Sequence, residues 1–516
     1  MRPSSSPRSG RLALGMALAV LLPWAAAAQD LADFESRTTL HRLDNGWTFI
    51  IVERPVAPVF SFATFVDVGS AQEVPGITGL AHMFEHMAFK GTPRVGTRDY
   101  EAEKVALEAM EAAYQGYEAA RRARDADPER VAELLAAFRG KQEAAAEFVV
   151  ANEFDEILAR AGGVGINAFT NTDFTGYFYS LPANKIELFC YLESERFLEP
   201  VFREFYEERD VVQEERRLRT ESQPIGRLLE QFQATAFVAH PYKQPVVGYM
   251  SDLQSITMTD ARAFFEKYYV PSNLVTAVVG DVDVGALVPM IEAYFGRIPA
   301  GPAPEPLRTV EPPQIGEKQV VVEDPSQPVY IEGYHMAARD DPDQPVWDAI
   351  DDILSGGRTS RLYRSLVRDK KIAANAGSFS RLLGSKYPTL WIAWAFPSPE
   401  SSNEEVRDAI REEIERMKVE DVTDEELERF KTRAKAELLR SLRSNSGLAS
   451  SLAEYQTIFG DWRELFRFVG RIEAVTKADI RRVASATLVA TNRTVGMIRT
   501  AAPAAQDAGA READDA

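Results

Sequence analysis

A spacing that recurs in both halves of the chain constrains its fold most. Ile256-Thr257-Met258-Thr259-Asp260-Ala261-Arg262 leads to Asn273-Leu274-Val275-Thr276, and Val475-Thr476-Lys477-Ala478-Asp479-Ile480-Arg481 leads to Asn492-Arg493-Thr494-Val495. The aspartate and the asparagine stand thirteen positions apart in both copies. Each copy reads as a capped helix feeding a buried strand, so the chain holds two halves of similar α+β design. Between them, residues 299–313 carry six prolines and little apolar content, which is the composition of a linker. A length of 516 residues allows a sizeable core in each half.

The rest of the chain fits that frame. Thr38 to Glu53 alternates apolar residues around Asp44-Asn45-Gly46 and predicts a β-hairpin. Val59 to Val68 predicts a strand. Gly79 to Thr92 predicts an amphipathic helix closed by Gly91. Glu101 to Arg160 is dense in Ala, Glu, Arg and Lys. With Pro128 behind Asp127, it predicts two long antiparallel helices that project from the first half as a solvated spacer or packing arm. Strands are expected within 165–181, followed by helices near 183–198 and 205–221. In the second half a strand is expected over 318–338, a helix near 342–356, strands up to about 396, and helices over 402–418 and 423–443. Residues 501–516 lack periodicity and read as disordered.

At the other end, Arg2, Arg8 and Arg11 precede an apolar run from Leu12 to Trp24 that finishes in Ala25-Ala26-Ala27-Ala28. This reads as a secretory signal peptide over residues 1–28, with a mature protein in the bacterial periplasm or beyond. The run is too short for a membrane span. Cys190 is the single cysteine and sits in an apolar helical stretch, which makes it a core residue that cannot form an intramolecular disulfide. A net charge of −19 argues against nucleic acid and against an anionic membrane as partners.

Chemistry concentrates in Gly79-Leu80-Ala81-His82-Met83-Phe84-Glu85-His86. Of five histidines in the chain, two fall here, four positions apart and so one turn apart on one helix face. That is the spacing two zinc ligands from one helix require, and Glu85 projects beside them as a candidate proton acceptor. An apolar helix has little reason to bury His, Glu and His together unless a metal offsets their desolvation. A catalytic zinc needs a third protein ligand, and no other histidines are paired by spacing. The helix from Phe205 to Arg216 offers several carboxylates, among which Glu208 and Glu215, seven apart, share a face.

These residues resemble the M16 family of metallopeptidases (pitrilysin, insulysin, mitochondrial processing peptidase), in particular its single-module branch. The likeness covers about 36–500. It rests on Gly79 to His86, Ala88-Phe89-Lys90-Gly91-Thr92, Asn167-Ala168-Phe169-Thr170, Glu208-Arg209-Asp210-Val211-Val212-Gln213-Glu214-Glu215 and Ser360-Arg361-Leu362-Tyr363. It implies two homologous α/β-sandwich domains, a catalytic one over 36–298 with the hairpin inserted at about 101–160 and an inactive copy over 317–500, joined by a linker at 299–316. It also implies a zinc endopeptidase with one Zn²⁺ per chain on His82, His86 and Glu215, with Glu208 orienting the site and Glu85 as general base. The second half has Glu428-Arg429 followed by Lys435, a cation that cannot bind the metal. By the same resemblance Asn167 and Ala168 lie on an edge strand to which a peptide adds, and Arg381 and Tyr387 help hold it. The implied partners are peptide or unfolded polypeptide and a second module, a homodimer or a metal-free relative. A rival reading is a non-catalytic, peptide-binding subunit, against which the intact His82, Glu85, His86 and Glu215 speak. One departure from the family is the long separation of 129 positions between His86 and Glu215, which the hairpin accounts for.

Overall fold

The computed structural model describes residues 34–501. The expected export segment and the tail after Ala501 lie outside them. The described part is an α+β protein built on two mixed sheets. Strands β1 (Thr38–Arg42), β2 (Thr48–Glu53), β3 (Val59–Val66), β4 (Val164–Thr170), β5 (Thr175–Pro182) and β6 (Leu274–Gly280) form the first, in the order β1-β2-β6-β3-β5-β4. Strands β7 (Lys318–Asp324), β8 (Val329–Met336), β9 (Ala373–Phe379), β10 (Thr389–Pro397) and β11 (Arg493–Thr500) form the second, in the order β7-β11-β8-β10-β9. Apart from β1 the two orders are the same. Each has one parallel pair, β2 with β6 and β7 with β11, and the neighbouring pairs are antiparallel. Residues 318–338, read as one strand in the sequence, are two, β7 and β8, separated by a bend at Pro325-Ser326 and with β11 between them in the sheet.

The recurring spacing has a physical cause. Thr257 and Thr476 each cap a helix in a reciprocal bond with Asp260 or Asp479. Asn273 Nδ2 then donates to the carbonyls of Tyr268 (2.9 Å) and Asp67 (3.2 Å), while Asn492 Nδ2 donates to those of Thr487 (3.0 Å) and His335 (2.9 Å). In each half one amide side chain fastens the end of a helix to the sheet.

Among the described residues the longer helices of the first half are α1 (Leu80–Met87), α2 (Tyr100–Arg122), α3 (Pro128–Ala146), α4 (Glu153–Arg160), α5 (Ile186–Leu198), α6 (Phe205–Arg216), α7 (Pro224–Ala236), α8 (Met258–Tyr268) and α9 (Val284–Phe295). Helix α1 ends before Gly91, at Met87. Gly91 instead shapes the following turn, at φ 102°, where a Cβ would stand 2.2 Å from the Val95 carbonyl oxygen. The inserted hairpin, α2 and α3, is followed by a third helix, α4. It is less of a projection than its composition suggests. Leu107, Met110, Tyr114 and Phe138 are buried in the first-half core, while the outer faces of both helices and the turn between them are solvated. Cys190 is buried in the same core, and burial pushes its thiol up to about 12.

The second half adds α10 (Gln344–Ser355), α11 (Asn403–Val419), α12 (Asp424–Ser441), α13 (Asn445–Phe459), α14 (Glu464–Ala474) and α15 (Lys477–Thr487). A sheet apolar on both faces needs two covering layers, and the halves exchange helices to provide them. Helix α7 lays Leu228, Phe232 and Ala236 on Val329, Ile331, Leu390, Ile392 and Ile498 of the second sheet. Helix α13 lays Leu448, Ala449, Leu452 and Ala453 on Ile50, Val52, Ala63, Phe65, Ala277 and Val279 of the first. Gly333 makes room for the exchange, since a Cβ there would stand 2.8 Å from the Phe232 ring. Burying a phenylalanine of this kind stabilises the fold by about 2 kcal/mol.

Candidate metal centre

Helix α1 starts at Gly79, a left-handed residue (φ 96°) without a capping side chain. Glu73 serves the free backbone groups instead, accepting from Gly79 N–H (2.8 Å) and Ala81 N–H (2.7 Å). A carboxyl there is complementary to the helix dipole, yet burial in the wall of the site pushes it up to about 8. The apolar face of α1 buries Leu80, Ala81, Met83 and Phe84, with Phe84 stacked on Phe264 (5.7 Å between ring centroids) and tilted against Tyr269 (4.8 Å). That packing turns His82, Glu85 and His86 towards α6.

The two imidazoles stand edge to face, 4.9 Å apart. Glu215, at the far end of α6, puts Oε2 at 3.3 Å from His86 Nε2 and 3.7 Å from His82 Nε2. One donor atom from each of His82, His86 and Glu215 lies within 4.8 Å of the others, and among the described residues no other group of three His, Cys, Asp or Glu does so. Two imidazole nitrogens and one carboxylate oxygen are a donor set suited to zinc, so these residues fit the metal that the motif calls for. Glu85 Oε2 lies 4.0 Å from His82 Nε2. The Glu85 carboxyl also takes a hydrogen bond from Thr170 on β4.

His86 Nδ1 is 3.2 Å from Glu208 Oε2, whose other oxygen is 2.6 Å from Lys90 Nζ. An acceptor at Nδ1 fixes the proton there and leaves the Nε2 lone pair free to bind. Charges follow from this packing. Burial lowers His82 to about 4, so its ring is neutral. Burial also works against a charged His86, but Glu208, Glu215 and Glu85 outweigh it and raise its pKa. Burial raises Glu85, and it would raise Glu208 were His86 and Lys90 not holding it below the usual carboxylate range.

The other expected site residues lie as follows. Asn167 and Ala168 are on β4, the edge strand of the first sheet, whose far end bonds α1 through Thr170 Oγ1 and the Ala81 carbonyl (3.3 Å). Arg381, at φ 62°, donates to Asp348 Oδ1 (3.0 Å) on α10 of its own half. Tyr387 packs against His240 (5.1 Å between centroids) and Tyr242, at the seam between the halves. Among the described residues neither touches His82, Glu85, His86 or Glu215 through a hydrogen bond, ion pair or ring contact. Sequence reasoning gave no role to Glu73, Thr170 or Lys90. Lys90 lies four residues beyond His86, past the end of α1, so the helical spacing of the motif gave no signal for it.

Comparison with known proteins follows the same line. A family model described as Insulinase (Peptidase family M16) matches residues 48–139, and one described as Peptidase M16 inactive domain matches residues 255–434. The zinc protease PqqE of Helicobacter pylori is 29% identical over 427 residues, which cover 81% of this chain and 82% of that protein. A solved structure of a protease from Helicobacter pylori superposes with a TM-score of 0.74 at 28% identity, covering 90% of this chain and 99% of the other. The periplasmic protease PqqL from Escherichia coli shares the fold, with a TM-score of 0.66 at 17% identity over 90% of this chain and 48% of its own.

Proposed function

The chain belongs to the M16 family of peptidases, and on that premise we propose that it is a zinc-dependent endopeptidase acting on peptides or unfolded polypeptides. The observation that carries this reading is the convergence of the His82, His86 and Glu215 donor atoms beside Glu85. Those three residues hold the metal, one per chain. Zinc bound there supplies Lewis acidity, which polarises the scissile carbonyl and makes water a stronger acid.

The chain's own residues do the rest. Glu85 takes the proton of the attacking water and delivers it to the amine nitrogen as the C–N bond breaks. Thr170 holds its carboxyl on the substrate side of α1. His82, neutral at working pH, and His86, oriented by Glu208, keep nitrogen lone pairs available. Lys90 keeps Glu208 anionic. A peptide pairs with the free edge of β4 at Asn167 and Ala168, so that backbone hydrogen bonds align its scissile bond with Glu85.

In domain terms, residues 36–298 form the catalytic unit, 299–316 the linker and 317–500 a metal-free copy; the matching strand order of the two sheets and the capped helix repeated in each half support this division. The partner is a second module, either another copy of this chain or a metal-free relative. Location in the periplasm or beyond is supported by the apolar run before Ala28 and by the periplasmic relative. Among the described residues no helix is long and apolar enough to cross a membrane.

The test is cleavage of a quenched fluorescent peptide library by the purified protein, with and without chelator. Chelator-sensitive cleavage is expected. Zinc-loaded protein that cleaves only when a second module is added would assign it to an obligate pair, and protein that cleaves equally well in chelator would refute the proposal.

A further inference from the structure

The inserted hairpin takes no part in the chemistry above, but it is built into the wall of the metal centre. Its root is tied there by Arg203, which stands two residues before α6. All five guanidinium N–H groups of Arg203 are used. Nε donates to Glu103 Oε1 (2.6 Å) and Nη2 to Glu103 Oε2 (2.7 Å) and the Thr92 carbonyl (3.4 Å). Nη1 donates to the carbonyls of Lys90 (2.7 Å) and Val95 (3.1 Å). Both side chains of the pair are sealed from water, Arg203 at 1% exposure and Glu103 at 0%. Two charges are tolerated in such a place only when their hydrogen bonding is complete. Gly91 and Gly96 leave the space, because a Cβ at either would stand 2.7 or 2.6 Å from Arg203 Nη1.

One ion pair thus joins three segments: the hairpin root on α2, the turn that follows the histidine helix, and the start of α6. Lys90, whose carbonyl Arg203 holds, is the residue that reaches Glu208, and Glu208 reaches His86. More hairpin contacts follow along α6. Tyr206 donates to Glu111 Oε2 (2.6 Å), and its ring packs 4.3 Å from that of Tyr114. Gln142 Nε2 donates to Glu207 Oε1 (2.7 Å), and Arg209 donates to Tyr114 Oη and stacks on its ring. Helix α6 therefore has the hairpin on one face and the histidine helix on the other.

We propose that the hairpin is a brace for the metal centre, in which Glu103, acting through Arg203, is a positioning residue that fixes Lys90 and Glu208 and thereby the His86 ring. The proposal rests on the zinc-peptidase reading. Its test is the zinc dissociation constant, measured by chelator competition on folded protein, for wild type, Glu103→Gln, Tyr114→Phe and the tip variant Arg130→Ala. Removing an outer partner of a ligating histidine weakens metal binding about tenfold or more. Glu103→Gln is expected to show that loss with the peptide KM unchanged, Tyr114→Phe a smaller loss, and Arg130→Ala none. Folded Glu103→Gln with wild-type zinc affinity overturns the brace. Should Glu103→Gln not fold, wild-type affinity in Tyr114→Phe overturns it. Wild-type protein that takes up no zinc overturns the underlying reading, and the brace with it.

Discussion

The two halves share one frame and differ in what they hang on it. In both, a strand carries Asn-Ala with the asparagine side chain accepting from the next backbone N–H, Asn167 to Ala168 (2.9 Å) and Asn375 to Ala376 (3.0 Å). Three residues after each asparagine a hydroxyl reaches a helix carboxyl: Thr170 binds Glu85, and Ser378 Oγ donates to Asp351 Oδ1 (2.7 Å). Helix α10 thus occupies the place of α1, with Asp348, Asp351 and Asp352 standing where the first half has His82, Glu85 and His86. In the second half the neighbours are cations and donors. Arg381 pairs with Asp348, Arg433 with Asp352 (3.2 Å), and Asp351 is met by Ser378, the Ser380 N–H and Trp391. Lys435 is engaged by Glu473 on α14. The same frame thus holds carboxylates neutralised by arginine on one side and imidazoles converging on a carboxylate on the other. A fold of this kind supplies positions, and side-chain chemistry decides whether a position becomes a metal site.

That contrast can be broken at Glu215. Glu215→Lys gives the first half the cation found at Lys435 and should abolish zinc uptake, read as metal content after dialysis, whereas Glu215→Gln should weaken it only in part. The next effect separates binding from chemistry. Glu85→Gln should retain zinc and lose about a thousandfold in kcat, the scale of general-base catalysis, measured on a quenched peptide. The exchange of helices predicts that neither half is independent. Phe232→Ala on α7 and Leu452→Ala on α13 should each destabilise by about 3 kcal/mol, and calorimetry should show one transition for the whole protein in both. Two separate transitions would contradict the exchange. The smallest effect sharpens the electrostatics. Because its carboxylate neighbours raise His86 above the ordinary 6.5 while His82 is lowered to about 4, protons compete with zinc at His86 first. Apparent zinc affinity should hold at high pH and fall, at most about tenfold per unit, as pH drops through the raised His86 value. An affinity flat down to pH 5 would contradict that ordering.

What the sequence made legible was local. The motif on α1, the turn at Asp44-Asn45-Gly46, the Asp127-Pro128 helix start and the thirteen-residue spacing all act within a few turns of chain, where periodicity and capping leave a signature. Glu215 needed the family resemblance, because a helix with this many acids offers several equivalent carboxylates. The helix exchange and the Arg203–Glu103 pair were not legible. Helix α13 covers β2, β3 and β6, all of them in the other half of the chain, and its pattern marks an apolar face without naming the surface it meets. Glu103 looks like any other acid in an Ala/Glu-rich helix, since nothing local marks a charge that is buried against a partner a hundred residues away. The same limit hides which surface the hairpin's few buried apolar residues, Leu107, Met110, Tyr114 and Phe138, pack against.

Zinc stoichiometry tests the central claim most directly. Metal analysis of the purified wild-type chain, alongside His82→Ala, should give one zinc per chain in the first and none in the second. Zinc retained in His82→Ala, or two ions per wild-type chain, would mean that the second half binds metal too, and the division of labour drawn here would be wrong.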